Sequence, residues 1–240
     1  MSNFKMNVEI MKKKLENSIG INDSFETSCK NCNGYCKKSS VTIILNPYDI
    51  YRVSKELNVK VPDFLNNYCT ISTGFQTKLP VVQLNRAAKG KCILLRNGVC
   101  KAEKGKPMAC SSYPLDIFMD NNIESTKFFV NRVNCHGTPV TYTVRQWLDM
   151  NKIDLTDRFY SLWGELLDNA SPLRREMLEY EGFERTIQLE NQIIIHLLYG
   201  AYDTNKDFFT QFVKNSEELI EYLSTMLDVC RNCCIKKDEY

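Results

Sequence analysis

The sequence contains no G-x-G, so it offers no Rossmann-type nucleotide loop. It has no H-E-x-x-H, no G-x-S-x-G and no G-K-S/T, which leaves a zinc protease, a serine hydrolase and a P-loop NTPase unsupported. Histidine is nearly missing: His136 and His196 are the only ones. Neither sign of charge dominates. The 31 basic residues against 29 acidic ones leave a net charge of +2, which gives no push toward nucleic acid or an anionic membrane. No apolar run approaches the roughly 18 residues that span a bilayer. The start of the chain lacks the apolar core of a secretory signal. It reads instead as an amphipathic helix within residues 1–24, with Phe4, Val8, Met11 and Leu15 at helical spacing. The lysine runs at 12–14 and 236–237 read as solvated termini. These absences lead to the expectation of a cytoplasmic protein, in a compartment that keeps thiols reduced.

Cysteine, by contrast, is plentiful. The eleven are Cys29, Cys32, Cys36, Cys69, Cys92, Cys100, Cys110, Cys135, Cys230, Cys233 and Cys234. An odd number fits poorly with complete intramolecular pairing. In a reduced compartment, clustered cysteines more often bind metal or do redox work.

The cysteines also divide the chain. Residues 25–142 carry eight of them among short elements and turns, and residues 143–229 carry none. The expected organisation is therefore an N-terminal helix (1–24), a cysteine-cluster region (25–142), and a helical region with a cysteine-containing tail (143–240). In the first part, VTIIL (41–45) reads as a buried strand and LPVVQLN (79–85) as another. NPYDIYRVSKEL opens a helix with Asn46 as N-cap and Pro47 at the first helical position, and VPDFLNNYC is a second short helix. CILLRNGVC (92–100) reads as a hairpin on its Asn97-Gly98 turn. An ideal two-residue turn pairs Leu95 with Cys100, so Cys92 can join Cys100 on one metal only from outside the regular ladder. Tyr113-Pro114 reads as a turn. Further on, helices are expected near 143–150, 156–168, 173–199 and 207–229, with Asp154 or Thr156 capping the second and Pro172 opening the third. Gly182 would weaken or split the third. Apolar stripes such as Phe159, Leu162, Trp163, Leu166 and Leu167 read as core packing.

CKNCNGYC (29–36) carries the sharpest chemical signal. A C-x2-C turn brings two sulfurs within reach of one ion, and neighbouring backbone N–H groups can offset part of the thiolate charge. Cys36 can add a third ligand from the same loop, and Gly34 permits a tight wrap. Three thiolates do not complete a tetrahedral site. The candidates for the rest are Cys92, Cys100, Cys110 and Cys135, with His136 beside Cys135 as an alternative donor. Cysteine-only ligation suits zinc or an iron–sulfur cluster, not magnesium or calcium. Cys69, at a helix end, reads as an inert buried thiol. His196, in an apolar stretch, reads as a core residue. A thioredoxin-like redox pair would need a βαβ context, and none is visible.

Taken in order, CKNCNGYC, NPYDIYRVSKELNVKVPDFLNNY, KCILLRNGVCKAEKGKPMACSSYP and NCHG resemble the YkgJ-type cysteine-cluster family of zinc- or iron-chelating proteins. The resemblance covers residues 29–137. It maps Cys29, Cys32, Cys36, Cys92, Cys100, Cys110 and Cys135 onto the family's cysteines. It departs at Lys37, where relatives carry a further cysteine, at Lys106, and at Ser111, where they carry arginines. The tail cysteines could compensate for the missing thiol. A similar cysteine module occurs in bacterial flagellin lysine-N-methylases, which are S-adenosylmethionine-dependent and associated with an iron–sulfur cluster; LENQIIIHLLYG faintly resembles their C-terminal helices. The absence of G-x-G argues against an ordinary methyltransferase fold.

The resulting expectation is an α+β chain, mostly helical: a small cysteine-rich metal-binding module with short strands and a hairpin, packed on a C-terminal helical bundle. Its cofactor would be a 4Fe–4S cluster or zinc. The resemblance adds the alternative of a methylase with S-adenosylmethionine and a protein substrate such as flagellin; a structural zinc module presenting the helical half to a partner is a third reading. No nucleic-acid or membrane partner is expected.

Overall fold

The structure, a computed structural model, describes residues 16–28, 36, 42–119, 124–131, 138–180 and 187–236. In chain order the early elements are β1 (Ser24–Thr27), β2 (Ile43–Leu45), α1 (Pro47–Leu57), α2 (Val61–Tyr68), β3 (Cys69–Thr73) and β4 (Pro80–Leu84). A hairpin of β5 (Leu95–Arg96) and β6 (Val99–Cys100) follows, then the short α3 (Met108–Ser111). β7 (Leu115–Phe118), β8 (Lys127–Val130) and β9 (Val140–Thr143) lead to α4 (Val144–Met150), α5 (Arg158–Met177), α6 (Ile187–Ile195) and α7 (Phe208–Cys233). A single π-helical turn, His196–Gly200, continues α6.

The chain forms two compact units. One comprises Met1–Lys37 with Met108–Asp157, the other Lys38–Pro107 with Arg158–Tyr240. This differs from the division expected from composition, and strand pairing gives the reason. β1 pairs with β9 from Ser24↔Thr143 to Thr27↔Val140. Boundaries at 24/25 and 142/143 would cut that ladder at both strands. Nor is the helix expected over 1–24 continuous to its end. Residues 1–15 lie outside the described residues, and Ile19 already bridges to Phe128.

In the first unit, β7 pairs antiparallel with β8. The core gathers Ile21, Phe25, Leu115, Phe128, Val144, Trp147, Leu148 and Leu155. Trp147 meets Phe25 edge-on at 5.8 Å, and its indole N–H donates to the Ser112 carbonyl at 2.9 Å. That bond satisfies the one polar atom of a large buried ring. Thr143 and Gln146 form a capping box at the start of α4. The expected turn at Tyr113-Pro114 is present, with the Leu115 N–H bonded to the Ser112 carbonyl at 2.9 Å.

The second unit is built on an antiparallel sheet in the order β2-β4-β3. The expected strands at 41–45 and 79–85 are β2 and β4. α1 begins as the sequence indicates: the Asn46 side chain accepts the Asp49 N–H at 2.7 Å, and Pro47 follows it. Ile50, Val53 and Phe64 are fully buried. α5 packs along α7, and Phe159, Phe208 and Phe212 stack or meet edge-on within the core. Tyr199 donates from its hydroxyl to the Pro80 carbonyl at 3.0 Å, tying the π turn to β4.

Two helix expectations need correction. Pro172 does not open a helix; it lies inside α5. An interior proline removes one backbone hydrogen bond, at a cost of about 3 kcal/mol. Around it Ala170, Arg174 and Met177 are fully buried, so packing over the length of α5 offsets the loss. Asp154 and Thr156 do not cap α5, which starts at Arg158; Asp154 instead accepts from the Thr156 N–H and hydroxyl in a turn before it. Gly182 lies outside the described residues.

Candidate metal centre

Asn97 and Gly98 make the β5–β6 turn with φ of 48° and 81°, the left-handed pair that a tight hairpin requires. The ladder pairs Leu95 with Cys100 and Arg96 with Val99. Cys92 lies outside it, as joint ligation with Cys100 demands. Its backbone bridges to Arg86, and its carbonyl accepts the Leu95 N–H at 3.0 Å. The chain therefore turns between Cys92 and Leu95 instead of continuing the strand. Charge on the Cys92 thiol acts to raise the Cys100 thiol. Both thiols are half-buried.

The segment after Cys100 folds back toward it. The Ala102 N–H donates to the Cys100 sulfur, and the Lys106 ammonium, which donates to Glu103 Oε1 at 2.5 Å, favours the thiolate. Burial is the larger influence and pushes the Cys100 thiol up; Ala102 and Lys106 oppose it, while Cys92 and Glu103 add to it. An N–H on the sulfur, a nearby cation and a second thiol are the local features of a metal-thiolate loop.

Of the other expected ligands, Cys36 and Cys110 are half-buried thiols in the unit that contains α3. Cys92 and Cys100 belong to the second unit. Cys29, Cys32 and Cys135 lie outside the described residues, as does His136. None of the eight described cysteines is in a disulfide. Among the described residues, no three His, Cys, Asp or Glu side chains gather into a group that could hold a metal ion. The described part of the candidate centre is thus four of its seven thiols, Cys36, Cys92, Cys100 and Cys110.

Cys69 is buried where α2 passes into β3, and burial pushes its thiol up to about 12. His196 is not a core residue. It is exposed on the π turn, two residues beyond the buried Ile194 and so on the opposite side of the helix.

The tail thiols have surroundings of their own. Cys230 is buried on α7 and its side chain contacts that of Cys234; burial foremost, then Cys234, pushes the Cys230 thiol up, with Arg174 opposing. Arg174, Glu190 and Asn191 form a buried or half-buried polar group there with Tyr222. The Arg174 guanidinium donates to Asn191 Oδ1 at 2.8 Å, and the Tyr222 hydroxyl donates to Glu190. The sequence reading passed over this group. Its signal was a charge at helical spacing within an apolar face: Ala170, Arg174, Met177 on α5, and Glu190, Ile194, Leu198 on α6 and the π turn.

No helix among the described residues is long and apolar enough to cross a membrane. In comparisons with known proteins, no family model, no curated protein and no solved structure matches the chain.

Proposed function

We propose that the chain is a thiolate metal-binding protein whose clustered cysteines hold a 4Fe–4S cluster, with zinc as the competing occupant. The observation that carries this reading is the Cys92–Cys100 hairpin: two half-buried thiols within one short segment, with the Ala102 N–H donating to the Cys100 sulfur. Cys29, Cys32 and Cys36, at C-x2-C-x3-C spacing, supply a ligand loop of the kind such metals use. Cys110 and Cys135 complete the proposed set.

When bound, an iron–sulfur cluster would supply redox or Lewis-acid chemistry and zinc would supply structural closure. The chain's own part is to present thiolates, with N–H and ammonium groups that offset their charge. Anaerobic purification followed by iron, zinc and acid-labile sulfide analysis tests the proposal. A brown protein with broad absorbance near about 400 nm, carrying iron and sulfide, is expected. Stoichiometric zinc in a colourless protein would select the competing occupant, and protein free of both metals would reject the reading.

A further inference from the structure

The metal reading gives no role to Asp49 and Arg52 of NPYDIYR, yet the structure connects them to the thiol hairpin. Asp49 is buried at 3% exposure on the first turn of α1. Its Oδ1 accepts from Arg52 Nη2 at 2.8 Å, and the same nitrogen donates to the Lys106 carbonyl at 3.2 Å. A guanidinium Nη carries two N–H groups, so one nitrogen can serve both acceptors. The Arg52 guanidinium also lies 4.8 Å from the centre of the Tyr48 ring, which restricts its rotation. From the other side, Gly105 packs against the backbone of Arg52 so closely that a Cβ there would fall 2.6 Å from the Arg52 carbonyl oxygen. Ala102, in the same segment, is fully buried. The stretch from Ala102 to Lys106 is thus held at its far end by α1 and at its near end by its bond to the Cys100 sulfur.

We propose that Arg52, braced by Asp49, is a positioning residue for the thiol hairpin: it clips the 101–107 segment to α1, so that the Ala102 N–H is held at Cys100 before any metal arrives. The metal-affinity part of this inference rests on the proposed function; the clip itself does not. A lysine at 52 would keep the positive charge, but its side chain is one bond shorter and has no planar guanidinium to lie on the Tyr48 ring, so it would not place one nitrogen on both Asp49 and the Lys106 carbonyl. Charge alone therefore does not substitute for the geometry.

The test uses the full chain with Arg52→Ala and Arg52→Lys, read by amide hydrogen exchange at Ala102, by the rate of metal release to a chelator, and by the thermal midpoint. Exchange at Ala102 should be at least about tenfold faster in both variants, while amides of β2 and β4 keep their protection. Metal release should accelerate by a similar factor. A merely structural role would lower the thermal midpoint and loosen the β2 and β4 amides together with Ala102. Unchanged exchange at Ala102 in Arg52→Lys, or a lysine variant equal to the parent in both readouts, would overturn the inference. If the parent binds no metal but Ala102 exchange still accelerates, the clip stands and the metal reading falls. If the parent binds metal and both variants release it at the parent's rate, the positioning role falls and the metal reading stands.

Discussion

The backbone carbonyl of Arg52 occupies the space where a Cβ on Gly105 would fall, at a separation of 2.6 Å. The neighbour is main chain in the middle of α1, so it cannot rotate away as a side chain could. Glycine is required here by close approach, not by an unusual φ. Gly105→Ala must push the 101–107 segment off α1. Overpacking of this kind costs about 1–3 kcal/mol. Urea unfolding should show that loss, and the variant should also release metal faster than the parent. Parental stability would mean that the segment has slack.

The start of α1 gives a second prediction. Asn46→Ala removes the acceptor for the Asp49 N–H and should lower stability by about 1 kcal/mol. A lower thermal midpoint with metal content unchanged at 25 °C is the expected pair of results. Asn46→Asp, which keeps an acceptor oxygen, should restore most of the midpoint.

Cys69 sets a third, through pH. Burial raises its thiol from 9.0 to about 12. Between those values the folded chain keeps a proton that the unfolded chain releases. The unfolded state then binds fewer protons, so stability falls as pH rises through this window. Burial raises Tyr199 and Tyr202 as well and acts in the same direction at higher pH. Cys69→Ala should therefore flatten the decline in urea midpoint between pH 9 and pH 10 relative to the parent. In the folded parent at neutral pH, Cys69 should react with iodoacetamide more slowly than the exposed Cys233.

Much of the second unit was legible because its signals are local. Asn46-Pro47 starts a helix wherever it is placed, and Asn97-Gly98 turns a hairpin with its own dihedrals. The same local rule paired Leu95 with Cys100, as the ladder does. Pro172 misled for the opposite reason: its local preference was outweighed by burial of Ala170, Arg174 and Met177, which depends on residues far along the chain. The pairing of β1 with β9 joins segments more than a hundred residues apart, and composition carries no trace of it. At the candidate centre the thiols were legible from spacing. Ala102, Gly105 and Arg52 were not, because two of them act through backbone atoms, and the partner that Arg52 holds is itself a carbonyl.

The central claim is that Cys92 and Cys100 are ligands, and replacing them one at a time tests it most directly. Anaerobically prepared Cys92→Ser and Cys100→Ser proteins should each lose most of their iron or zinc, while Cys69→Ser, handled identically, keeps the parental content. Full metal content in both hairpin variants would contradict the account.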